Sequence, residues 1–111
     1  PQLQGKSFEP TQRAYEYLMD NISENISLHQ LSVVARLSAY HLLRVFRERF
    51  GLPPHTFQVQ QRINIAKRML ADRIPIVQVA FELGFSDQSH FTKKFKTFVG
   101  ATPRQYQLAN R

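Results

Sequence analysis

Residues 27 to 58 and residues 75 to 107 are two copies of one pattern, and this internal repeat constrains the fold more than any other feature of the chain. At a spacing of 48, Leu28, Gln30, Leu31, Ser32, Leu37 and Ser38 meet Ile76, Gln78, Val79, Ala80, Phe85 and Ser86. At a spacing of 49, His41, Leu42, Arg44, Phe46, Arg47, Gly51, Pro54 and Phe57 meet His90, Phe91, Lys93, Phe95, Lys96, Gly100, Pro103 and Tyr106. The second copy therefore holds one inserted residue. Apolar positions, a small residue, a capping serine, outer basic residues and a terminating glycine all recur together, so the same structural unit is built twice.

Each copy reads as a short helix, a brief turn and a longer basic helix. Ser27 caps Leu28 to Ala35; Ser38 caps Ala39 to Phe50, which points Leu42, Val45 and Phe46 inward and leaves Arg44, Arg47 and Arg49 outside until Gly51 and Pro53-Pro54 stop it. In the second copy Pro75 opens Ile76 to Leu83, Gly84 ends it, and Ser86 caps a helix from Asp87 to Val99. A helix from Pro54 to about Leu70 joins the copies, with Phe57, Ile63, Ala66 and Leu70 on one stripe. Ala14, Leu18 and Ile22 predict a first helix over Thr11 to Ile22, and Thr102-Pro103 begins a last short one through Tyr106. Residues 1–10 read as a linker and 107–111 as a tail. The expected fold is all-α, about seven helices forming two helix-turn-helix units, about 27–50 and 75–99, on either side of a long linker helix.

Charge is segregated along this framework. The chain carries +7 overall; residues 1–37 hold three cations against four anions, which leaves +8 for residues 38–111. A positive field gathered on the later segments is what phosphate binding requires, although a solvated basic face has the same composition. The absence of cysteine excludes disulfides, thiolate metal sites and cysteine nucleophiles. His29, His41, His55 and His90 have no metal-ligand spacing, Gly5-Lys6-Ser7 lacks the earlier glycine of a phosphate loop, and no nucleophile stands with a base, so the chain is expected to be no enzyme and to hold no metal or cofactor. No apolar run approaches the ~20 residues of a membrane span.

A short bracing helix before a longer basic one is the form of a helix-turn-helix, whose second helix enters the major groove. The second copy, IVQVAFELGFSDQSHFTKKFKTFVGATP over residues 76–103, resembles the signature of the AraC/XylS family of transcription regulators. Leu31 to Phe57 and the connecting segment RINIAKRML at residues 62–70 are similar to it as well, so the likeness runs from about Thr11 to Tyr106. The resemblance implies a bacterial, cytoplasmic, nucleoid-associated regulator that sets two recognition helices into successive major-groove segments of double-stranded DNA. It further implies RNA polymerase as a partner and, in many members, an N-terminal effector-binding or dimerisation domain.

On a recognition helix the N-terminal part of the exposed face reaches base edges, which selects Tyr40, Leu43 and Arg44 in the first unit and Gln88, Ser89, His90, Thr92 and Lys93 in the second. The Arg44 fork suits guanine O6 and N7 together, a contact worth about 1–3 kcal/mol of discrimination, with a phosphate clamp as its other use. Gln88 can pair with adenine, Lys93 with guanine or phosphate, and Tyr40 with a thymine methyl or a phosphate. Leu43 departs from the polar residue frequent in the family, which leaves an apolar contact or none. His90 is open between a neutral reader and a partly buried spacer. Ser38, Arg47, Ser86, Lys94 and Lys96 are the phosphate candidates, together with backbone N–H groups at the helix starts. Phe46, Phe50, Phe91, Phe95 and Phe98 resemble a stacking platform in composition, but their helical spacing assigns them to the core. A linker helix of some 17 residues is about 25 Å long, short of the ~34 Å between successive groove faces, so the duplex is expected to bend or the flanking units to add span. The alternative function is a helical interaction module that offers its basic face to an acidic partner.

Overall fold

The computed structural model describes residues 9–110, and these form seven α-helices with no strand among them. In order they are α1 Pro10–Asp20, α2 Leu28–Ala35, α3 Ala39–Phe50, α4 Pro54–Ala71, α5 Ile76–Glu82, α6 Gln88–Val99 and α7 Pro103–Ala109. The all-α expectation holds, and α3 and α6 start and end 49 residues apart. The Gly5-Lys6-Ser7 tripeptide lies outside the described residues.

The described residues divide into two compact units that part between Gln58 and Val59. In the first, Ala14 and Leu18 of α1 bury against Leu31 and Ala35 of α2, Leu42 and Phe46 of α3, and Phe57 from the first turns of α4. These residues recur at three and four along each helix, so one apolar stripe per helix faces a shared centre. The second unit repeats the plan. Ile63, Ala66 and Leu70 of α4 bury with Val79 and Ala80 of α5, Phe91 and Phe95 of α6, and the connecting Leu83 and Phe85, with Tyr106 of α7 packed alongside.

Both units close with the same glutamine. Gln58, only 2% exposed, donates from Nε2 to the carbonyls of Ile22 and Glu24 at 3.1 and 2.9 Å. Gln107, 49 residues on, donates from Nε2 to those of Leu70 and Ile74 at 3.2 and 2.8 Å. Each amide fastens the segment that leads into the bracing helix of its own unit. α7 is thus the counterpart of the first turns of α4, and residues 107–109, expected in a tail, are helical because Gln107 is anchored there.

Three further boundaries differ from the sequence reading. Glu9 and Pro10, assigned to a linker, form the N-cap and first residue of α1, since the Glu9 carboxylate accepts from the N–H groups of Thr11 and Gln12. That helix ends at Asp20, before Ile22. The cap of α6 is Asp87 and not Ser86: Asp87 has the extended backbone of an N-cap and its Oδ1 accepts from His90 N–H at 2.7 Å. Ser86 is therefore the inserted residue of the second copy, and Asp87 is the true counterpart of Ser38.

Candidate nucleic-acid interface

The outward faces of α3 and α6 follow from how the two helices are seated. In α3 the Ser38 hydroxyl accepts from His41 N–H at 3.2 Å and fixes the first turn, while fully buried Leu42 and Phe46 orient the helix. The opposite face carries Tyr40, which is 80% exposed, with exposed Arg44 and Arg47. Leu43 is 38% exposed and lines a cavity of about 180 Å³ with Leu28, Leu31, Pro53 and Pro54, so part of its side chain is turned to the body of the unit.

In α6, Phe91 and Phe95 are fully buried and Gln88, Ser89, His90, Lys93 and Lys96 are exposed, with Thr92 and Lys94 half-buried between them. Gln88, Ser89, Thr92 and Lys93 line one open groove. Four of the five base-reading candidates of this unit thus share a surface. The fifth, His90, is held to one side: its ring lies edge-on to Phe85 at 5.6 Å and its Nδ1 is 3.4 Å from the Ser86 hydroxyl. Of the phosphate candidates, Ser38 occupies the N-cap of α3, whereas Ser86 is displaced from that of α6 by Asp87, whose carboxylate places an anion where a phosphate was expected to meet the start of the helix.

The aromatic set is structural. Phe46, Phe91 and Phe95 are fully buried, Phe50 and Phe98 half-buried, and Phe46, Phe50 and Phe57 pack against one another at 4.6–5.4 Å between centroids. No stacking platform is presented to solvent by these rings.

Several charged contacts and one further groove escaped the sequence reading. Arg44 Nη1 lies 3.3 Å from Glu48 Oε2 on the surface of α3, a pairing whose i,i+4 spacing was visible in the sequence. Arg49 is not available to a ligand in the way Arg44 is, because it bonds the Glu9 carboxylate, Thr11 Oγ1 and Gln12 Oε1 of α1. Arg62 is buried with its guanidinium 5.6 Å from the Phe85 ring, and burial lowers its pKa from the usual arginine value. In the second unit Asn64, Lys67, Arg68 and Tyr106 line a separate open groove. Among the described residues no group of three His, Asp or Glu could hold a metal ion, and no helix is long and apolar enough to cross a membrane.

A bracing helix, a tight turn and an outward basic helix, twice over, define a tandem helix-turn-helix protein. The profile of the helix-turn-helix domain family matches residues 31–109, and the chain belongs to this family, in its AraC-type branch. It is 45% identical over 75 residues to the uncharacterized HTH-type transcriptional regulator YbfI of Bacillus subtilis, a match covering 68% of this chain and 27% of that protein. An AraC-type transcriptional regulator from Chromobacterium violaceum superposes with a TM-score of 0.83 at 25% identity, covering 91% of each chain. The DNA-binding domain of the global transcriptional factor AdpA, solved in complex with a target DNA, gives 0.84 at 24% identity over 91% of this chain and 92% of that one. The chain spans 27% to 38% of the length of the first curated relatives it matches.

Proposed function

We propose that this chain binds double-stranded DNA sequence-specifically through α3 and α6, each entering a major-groove segment, and thereby regulates bacterial transcription. The observation that carries the reading is the repeated outer face: cations stand at the same places on both helices, Arg44 with Lys93 and Arg47 with Lys96, each over a buried phenylalanine pair or its equivalent. A buried inner face fixes each helix, so the outer face is a rigid reader, as direct readout demands.

In this reading Tyr40, Arg44, Gln88, Ser89, Thr92 and Lys93 meet base edges, and Leu43 adds an apolar contact. His90, braced by Phe85 and Ser86, meets the edge of the site. Arg47, Lys94 and Lys96 hold phosphates and set register. Ser38 serves mainly as a cap, and Ser86 lies beside α6 without capping it. The AraC-type relationship supports RNA polymerase and an N-terminal effector-binding or dimerisation domain as partners of the whole regulator in the cytoplasm. The DNA-binding domain in this reading runs from Glu9, the cap of α1, to Ala109, the end of α7.

Fluorescence anisotropy with labelled duplexes tests this directly. Log affinity is expected to fall linearly with log salt, by about 10³-fold or more between 50 and 200 mM if on the order of six phosphates are neutralised. No binding to any duplex at low salt overturns the reading in favour of a protein-interaction module.

A further inference from the structure

Glu48 is the one anion in α3 and α6 together, and it stands on the outer face of α3 among Arg44 and Arg47. A carboxylate on a surface that faces a polyanion weakens binding, so its position calls for a compensating role. Its partner is specific: Glu48 Oε2 lies 3.3 Å from Arg44 Nη1, and both side chains are exposed.

The second unit lacks this device. The counterparts of Arg44 and Glu48 are Lys93 and Thr97, and Thr97 Oγ1 donates to the carbonyl of Lys93 within its own helix at 3.0 Å. No carboxylate of α6 accompanies the cation there.

We infer that Glu48 is a specificity-determining residue that positions Arg44 for a base and against a phosphate. The inference rests on the proposed role of Arg44 in DNA reading. A guanidinium carries five N–H donors in a planar fork, so a carboxylate on Nη1 leaves the Nε–Nη2 edge for guanine O6 and N7. A phosphate brought to the same guanidinium brings its full negative charge beside Glu48, whereas the neutral acceptors of guanine do not. Glu48 therefore weakens every complex but weakens the non-specific ones more. The first unit becomes the more selective reader and the second, with a flexible lysine point charge, the more permissive one.

The test compares the whole chain with Glu48→Gln, which removes the charge and keeps the size at an exposed position, on a duplex recovered by selection and on its single-base-pair variants. Glu48→Gln is expected to bind all duplexes about three- to tenfold more tightly at moderate salt, because one repulsive charge is gone. Discrimination at one base pair of the block read by α3 is expected to fall about threefold or more, with no change in the block read by α6. In an Arg44→Ala background Glu48→Gln keeps its gain in affinity and loses its effect on discrimination. Discrimination within twofold of the parent at every position overturns the inference, as does an effect that persists without Arg44. A parent chain that binds no duplex overturns the DNA-reading function beneath it, and the two failures are distinct.

Discussion

Arg36 and Gly84 hold the same left-handed backbone at the same place in the two units, with φ of 61° and 86°. Each ends a bracing helix, and the following N–H returns to the carbonyl five residues back, Leu37 to Ser32 at 3.1 Å and Phe85 to Ala80 at 3.1 Å. The turn of the motif demands this conformation, and only the second unit meets it with glycine. A side chain there costs about 1 kcal/mol. Arg36→Gly is therefore expected to stabilise the chain by about that amount and Gly84→Ala to destabilise it comparably. Chemical denaturation checks both; a loss of stability in Arg36→Gly contradicts the assignment.

The two glutamine clamps give a second expectation. Gln58→Ala removes two hydrogen bonds at a buried site and is expected to cost about 1–3 kcal/mol. Gln107→Ala removes the equivalent pair at a half-buried site and is expected to cost less. Equal and negligible effects in urea unfolding would show that the clamps are dispensable.

Glu9 predicts an acid response. Burial alone raises its pKa, but the hydrogen bonds from Thr11 Oγ1, Thr11 N–H and Gln12 N–H, with the Arg49 charge, outweigh this and hold it below its ordinary value of 4.5. A lowered folded pKa means that the ion contributes stability above the unfolded pKa and loses it as pH falls through the folded one. Because the pair is nearly half exposed, the contribution is under about 1 kcal/mol. Compared with Glu9→Gln, the parent is expected to lose this extra stability between about pH 5 and the lowered value; parallel pH profiles would contradict it.

The two faces of α3 and α6 were legible because they are local properties. Leu42, Phe46, Phe91 and Phe95 recur at helical spacing, and the cations fall between them, so the buried face and the outward face separate on the sequence alone. Asp87 was missed because Ser86 and Asp87 are both good caps and either places the inserted residue plausibly. Gln58 and Gln107 were missed because their partners lie 33 to 37 residues away, a distance no helical period reports. Arg36 concealed its left-handed backbone because the sequence cue for that turn is glycine.

The length of α4 carries a fourth expectation. Eighteen residues of helix rise about 27 Å, less than the ~34 Å between successive major-groove faces. Unless the flanking units add the missing span, the bound duplex is expected to bend toward the protein, read as position-dependent mobility of circularly permuted fragments. Uniform mobility of a complex with both helices inserted contradicts the bend and assigns the span to the flanking units.

The most direct measurement is selection of bound sites from random duplexes by the parent chain, Arg44→Ala and Gln88→Ala. The parent is expected to recover two different blocks about one helical turn apart, with Arg44→Ala relaxing the block read by α3 and Gln88→Ala the other. Recovery of no shared sequence, or of one block that neither substitution alters, contradicts the claim that α3 and α6 are two separate readers.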